Sequence, residues 1–129
     1  FRADGMFVPL LLLPVSAPFH CALMQPAADA MAEALAKVQM NAPKLPVVSN
    51  VTAKGESNPD DIKALLVQQV TGLVRWREGV LWLKDQGVGQ VVELGSGKVL
   101  AGLVKRIDKD IEPISVGTPA ELETWAKTL

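Results

Sequence analysis

Two short apolar runs, residues 90–94 and 111–116, constrain this chain more than any other feature of its sequence. Between them lie Gly95-Ser96-Gly97 and then residues 99–107, which read as a helix. The second run leads at once into Thr118, Pro119 and Glu121, a capping box with proline at the first helical position. Strands that alternate with helices in this way predict an α/β fold with a layered, mostly parallel sheet.

The alternation continues upstream. Residues 8–15 form a leucine-rich run bounded by prolines, and Pro14 and Pro18 favour a buried strand over a helix there. Ala27, Met31, Ala34, Leu35 and Val38 recur at helical spacing, which predicts a helix over 23–38 that Asn41 and Pro43 end. A second strand is expected over 45–51, followed by a polar turn over 54–58. Asn58 then caps a helix with Pro59 at its first position and Asp60 and Asp61 against the positive end of the dipole. That helix should run to about residue 70, where Thr71 and Gly72 break it, and another should cover 76–86 and stop at Gly87.

Composition narrows the function classes. The chain has 129 residues, 49% hydrophobic and 21% charged, which is a globular composition with length enough for a core. A formal net charge of −1 gives no basic field for nucleic acid. The run from residue 6 to 15 is too short and too proline-rich to span a membrane, and it lacks the flanks of a signal peptide. A single Cys21 excludes an internal disulfide and fits a cytoplasmic protein. One histidine and one cysteine make no metal site, and no cofactor signature is present. The abrupt opening on Phe1 is that of a fragment or a processed chain.

His20 is the only histidine, placed between a strand and a helix, where loop-borne catalytic groups tend to sit. A histidine is the usual proton acceptor for a serine or cysteine nucleophile near neutral pH, although a lone histidine is more often structural. Cys21 beside it points away along the chain and reads as a small packed residue. Gly95-Ser96-Gly97-Lys98 follows a strand and opens a helix, as a phosphate site would, but it lacks the Walker spacing, and Leu100 fills the third glycine's place in G-x-G-x-x-G. Trp76 and Trp82 fall on different faces of their helix and read as packing residues. Lys105, Arg106 and Lys109 complement a helix dipole and solvate its end; docking of an acidic partner is the rarer use of such a cluster.

The residues around His20 carry more. Pro14-Val15-Ser16-Ala17-Pro18-Phe19-His20-Cys21-Ala22-Leu23-Met24 closely resembles the histidine motif of the malonyl-CoA:acyl-carrier-protein transacylases. Asn41-Ala42-Pro43, Pro46-Val47-Val48-Ser49-Asn50-Val51, Leu66-Val67-Gln68-Gln69, Val74-Arg75-Trp76 and Glu93-Leu94-Gly95-Ser96-Gly97-Lys98-Val99-Leu100 resemble the same family in order and near its spacing. The resemblance runs from about Leu11 to Ile107 and is to the family's carboxy-terminal part.

The resemblance implies a fold and a reaction. Residues 1–16 would end a ferredoxin-like small subdomain, and residues 17–129 would be the carboxy-terminal half of a hydrolase-like, layered α/β large subdomain. The family's enzymes work by ping-pong acyl transfer: a serine in a G-x-S-x-G elbow takes malonyl from malonyl-CoA and passes it to the phosphopantetheine thiol of acyl carrier protein, in fatty-acid biosynthesis. His20 would be the base, and the main-chain carbonyl of Gln69 would orient its imidazole. Phe19 would border the acyl group: in related polyketide-synthase acyltransferases a phenylalanine here goes with malonyl and a serine with methylmalonyl, yet stand-alone malonyl enzymes carry serine too, and a core aromatic is an equal reading.

The pattern also fails in places. Ser16, Ser49, Ser57, Ser96 and Ser115 do not sit in G-x-S-x-G, because Leu94 stands where Ser96 would need the first glycine. The family's oxyanion-hole segment and its carboxylate-binding arginine precede the histidine and are absent, so the missing amino-terminal half is an expected partner besides malonyl-CoA and acyl carrier protein. Thr71-Gly72-Leu73 replaces a common Asn-Pro-Val, and Met6 and Phe7 replace basic residues. Two other readings stay open: a polyketide-type acyltransferase segment, and a non-catalytic fragment or interaction module.

Overall fold

The computed structural model describes residues 2–3, 6–7 and 18–128. The strand expected over 8–15, and with it most of the proposed small-subdomain segment 1–16, lies outside the described residues. Within them the fold is mixed α and β. Strands β1 (Arg2–Ala3) and β2 (Met6–Phe7) pair antiparallel. A 3-10 turn at Ala22–Met24 leads into α1 (Gln25–Ala36), which packs on α2 (Pro59–Gln68). Between these helices sit β3 (Val47–Val48) and β4 (Gly55–Glu56), and after them come α3 (Trp76–Asp85), β5 (Gln90–Leu94), α4 (Val99–Ile107), β6 (Glu112–Val116) and α5 (Pro119–Ala126).

The one mostly parallel sheet that the alternation predicts does not form among the described residues. Only β5 and β6 pair parallel, in the register Gln90↔Glu112 to Leu94↔Val116, with α4 as the crossover between them. Residues 49–54 are too few to carry β4 round to a parallel position. The chain folds back as a hairpin, so the expected strand over 45–51 shrinks to Val47–Val48, and the expected polar turn supplies its antiparallel partner. Ser49 holds the loop from both sides: its N–H donates to the Lys54 carbonyl at 3.0 Å, its carbonyl accepts from Ala53 at 2.9 Å, and its Oγ accepts from Val51 N–H at 3.1 Å.

Gly55 is glycine for a steric reason. A Cβ there would lie 2.6 Å from the Trp82 ring and 2.9 Å from Pro46 Cβ. The hairpin is therefore pressed flat against α3, with Trp82 on top of it. Trp76, on another face of the same helix, packs with Val91 and Ile107 against the buried cluster of Val80, Val104 and Ile111. This cluster joins α3, α4 and the approach to β6 into one core. Helix α1 differs from its sequence pattern. Only Ala28 is buried in it, while Ala27, Met31, Ala34 and Val38, expected on its packed face, are exposed.

Helix starts follow their caps. Asn58 accepts from Asp60 N–H at 2.9 Å and from Asp61 N–H at 3.4 Å, and Glu56 receives the N–H groups of Ser57 and Asn58, which hold its carboxyl below the usual range. Thr118 and Glu121 form the complete capping box, and the N–H of Gly117 adds to it, lowering the Glu121 pKa. At the other end of α3, Lys84 bonds Asp108 and reaches Asp110 at 3.0 Å, tying the helix to the turn before β6.

Two outcomes follow. Gly55→Ala forces the Trp82 ring or Pro46 to move and should cost about 1–3 kcal/mol in urea unfolding; an unchanged midpoint would show that Trp82 does not press on the hairpin. The Lys84 ammonium lowers the Asp108 pKa, so the stability from this contact is complete above the unfolded-state pKa and is lost as pH falls through the depressed folded value. Asp108→Asn should therefore lower Tm at neutral pH, with the gap to wild type closing on acidification. A gap independent of pH refutes the assignment.

Candidate functional site

Helix α2 ends at Gln68, and its last carbonyls need partners outside the helix. The carbonyl of Leu65 takes the N–H of Gln69 at 3.0 Å, that of Val67 takes Val70 at 3.2 Å, and that of Gln68 takes Gly72 at 3.0 Å. The turn is so tight that a Cβ on Gly72 would meet the Gln68 carbonyl oxygen at 2.9 Å. Gln69 stands just beyond the helix with its carbonyl pointing out, and Nδ1 of His20 lies 3.0 Å from that oxygen.

This contact decides the tautomer. A carbonyl oxygen only accepts, so Nδ1 carries the proton and donates, and Nε2 is left with the lone pair. His20 is exposed, in a left-handed backbone conformation with φ of 56° that costs a non-glycine residue about 1 kcal/mol or more. Cys21 next to it donates its thiol to the Pro18 carbonyl at 3.1 Å. Phe19 is 56% exposed among the described residues.

A second contact fixes Gln69 from the opposite side. Its side-chain Oε1 accepts from Asn50 Nδ2 at 3.1 Å, in a half-buried position. Asn50 belongs to the hairpin loop, whose own carbonyls are held in turn: that of Asn50 by the N–H of Arg75 at 3.2 Å, and those of Val51 and Thr52 by the Arg75 guanidinium at 3.3 and 3.4 Å. The sequence analysis missed Asn50. Its part in the site depends on residues 50 and 69 meeting in the fold, which no spacing in the sequence reports.

The other candidates resolve into structural roles. Ser49 Oγ serves the hairpin. Gly95 and Gly97 take positive φ values of 134° and 97° in the turn after β5. Two of the amides at the start of α4 serve the protein itself: the Glu93 carboxylate accepts from Leu100 N–H at 3.1 Å and from Ala101 N–H at 2.9 Å. Lys105, Arg106 and Lys109 share a shallow, exposed depression with Gly102. A cavity of about 40 Å³ beside Gln69, lined chiefly by Val47, Val48, Ile62, Leu65 and Leu66, has room for a water or two and not for an acyl chain. Among the described residues no cluster of His, Cys, Asp and Glu could hold a metal, and no helix is long and apolar enough to cross a membrane.

No family model matches the chain. Curated proteins and solved structures do. The malonyl CoA-acyl carrier protein transacylase of Escherichia coli (strain K12) is 47% identical over 112 residues, which are 87% of this chain and 36% of that protein. The acyl-carrier-protein-S-malonyltransferase of Bartonella henselae superposes with a TM-score of 0.82 at 55% identity, over 90% of this chain and 37% of that one. The PlMCAT:AntF complex, a type II PKS acyl-carrier protein with its malonyl-transacylase, gives a TM-score of 0.81 at 44% identity, over 91% and 38%. The chain thus spans little more than a third of the length of the proteins it matches. Over that third, sequence and fold are both similar to the malonyl CoA-acyl carrier protein transacylases.

Proposed function

We propose that this segment supplies the general base of a serine–histidine acyltransferase that moves malonyl from malonyl-CoA to the phosphopantetheine thiol of acyl carrier protein, as a step of fatty-acid biosynthesis. The observation that carries the proposal is the 3.0 Å contact between His20 Nδ1 and the Gln69 carbonyl, which leaves Nε2 as an oriented base on an exposed imidazole. The similarity to the named transacylases supports the choice of substrate and partner.

In the first half-reaction Nε2 removes the proton from a serine hydroxyl as its oxygen attacks the thioester carbonyl of malonyl-CoA. The tetrahedral intermediate then expels the CoA sulfur, which takes the proton back from the imidazolium. In the second, Nε2 deprotonates the phosphopantetheine thiol, its sulfur attacks the malonyl-serine ester, and the serine oxygen leaves with that proton. Gln69 acts through its carbonyl in both, accepting from Nδ1–H while the ring is cationic. Phe19, exposed beside the base, borders the acyl group, where its ring crowds an α-methyl branch and weakly favours malonyl. The nucleophile, its elbow and the arginine for the malonyl carboxylate belong to the remainder of the enzyme. On this reading residues 17–129 form half of a hydrolase-like subdomain and residues 1–16 the end of a ferredoxin-like one.

In the complete enzyme, His20→Ala should lower transfer by roughly a hundred- to ten-thousand-fold, the contribution of a positioned general base. The 129-residue chain alone should form no covalent adduct with labelled malonyl-CoA, since it has the base without the acyl acceptor. Steady-state transfer and intact mass check the two. A folded His20→Ala enzyme of wild-type activity, or a stoichiometric acyl-serine on this chain, overturns the reading.

A further inference from the structure

We propose that Asn50 is a positioning residue for His20, acting through the side chain of Gln69; this rests on the function proposed above for His20. Gln69 meets two partners with two different groups. Its carbonyl oxygen holds Nδ1 of His20 at 3.0 Å, and its Oε1 accepts from Asn50 Nδ2 at 3.1 Å. The residue stands one place beyond the end of α2, where its carbonyl is held from the backbone only through the Val70 N–H of the same peptide plane, which donates to Val67 at 3.2 Å. The bond to Asn50 adds a second restraint from outside the helix.

Asn50 is itself well anchored. Its carbonyl takes the Arg75 N–H at 3.2 Å, and the Arg75 guanidinium clamps the next two carbonyls of the loop. The loop is further fixed by Ser49 and by the buried Ala53, which accepts a left-handed φ of 56°. The hairpin is seated on α3 through Gly55 and Trp82. Orientation thus passes from α3 through the hairpin to Asn50, from there to Gln69, and so to the imidazole. Asn50 makes no contact with His20, and its effect is on how well Nε2 is aimed rather than on whether a base exists.

The test is a double-mutant cycle in the complete transacylase, with Asn50→Ala and Gln69→Met. The methionine keeps the length and packing of Gln69 and removes its acceptor. Each variant should lower kcat by about tenfold, the effect of losing one half-buried hydrogen bond. Affinity for malonyl-CoA should not change, and the double variant should be no worse than either single one. In the 15N spectrum of labelled imidazole, both variants should admit the Nε2–H tautomer that the wild type excludes. A residue that merely stabilises the hairpin would leave that spectrum alone. Independent losses that multiply to about a hundredfold, an Asn50→Ala enzyme of full kcat, or an unmoved tautomer each overturn the proposal. If Asn50→Ala does not fold, Gln69→Met reads the same bond from its other end, and full activity in that variant is equally decisive. His20→Ala in the same assay separates the two claims: its failure to lose activity removes the proposed function, whereas its loss beside an unaffected Asn50→Ala removes this inference alone.

Discussion

Everything near the candidate base depends on where α2 stops. A helix uses its carbonyls internally, and a carbonyl used internally cannot orient a side chain elsewhere. Gly72 N–H takes the Gln68 carbonyl, and the chain leaves the helix there, so the Gln69 oxygen is left for His20. Continued helical bonding, with the N–H of residue 73 on Gln69, would draw that oxygen back into the helix. The geometry of His20 is in this sense set by the termination of an element forty-nine positions away in sequence.

The hairpin and α3 form the rigid ground against which this terminus is held. Trp82 over Gly55 leaves no space for the hairpin to rise, Arg75 ties the loop carbonyls, and the cluster of Val80, Val104 and Ile111 keeps α3 on the β5–α4–β6 unit. The left-handed backbone at His20 and at Ala53 adds local strain at both ends of the chain of contacts. Strain of this kind persists where surrounding contacts over-determine it, as the bonds between Ser49 and the loop do at Ala53.

Legibility in the sequence varied with the range of the forces involved. Elements defined by their own caps were readable to the residue or nearly so: Asn58 with Pro59, Thr118 with Glu121, and Gly87, whose φ of +84° closes α3. So were β5 and α4, where a turn of glycines separates the two periodicities. The hairpin was not readable, because its strands are two residues each and are defined by pairing and by the Trp82 contact rather than by pattern. The exposed face of α1 could not be foreseen either, since spacing reports that a stripe is apolar and not what covers it. At the site, the family motif singled out His20 and the Gln69 carbonyl, but Asn50 was visible only once the fold had brought residues 50 and 69 together.

Glu93 has a further consequence. A glycine turn before a helix is ordinarily a vacancy that a phosphate fills, and such loops are often ordered only when the ligand arrives. Here a carboxylate from the preceding strand accepts from the second and third amides of α4. The strand and the helix are thereby tied together without a ligand, and the protein's own negative charge already sits at the helix start.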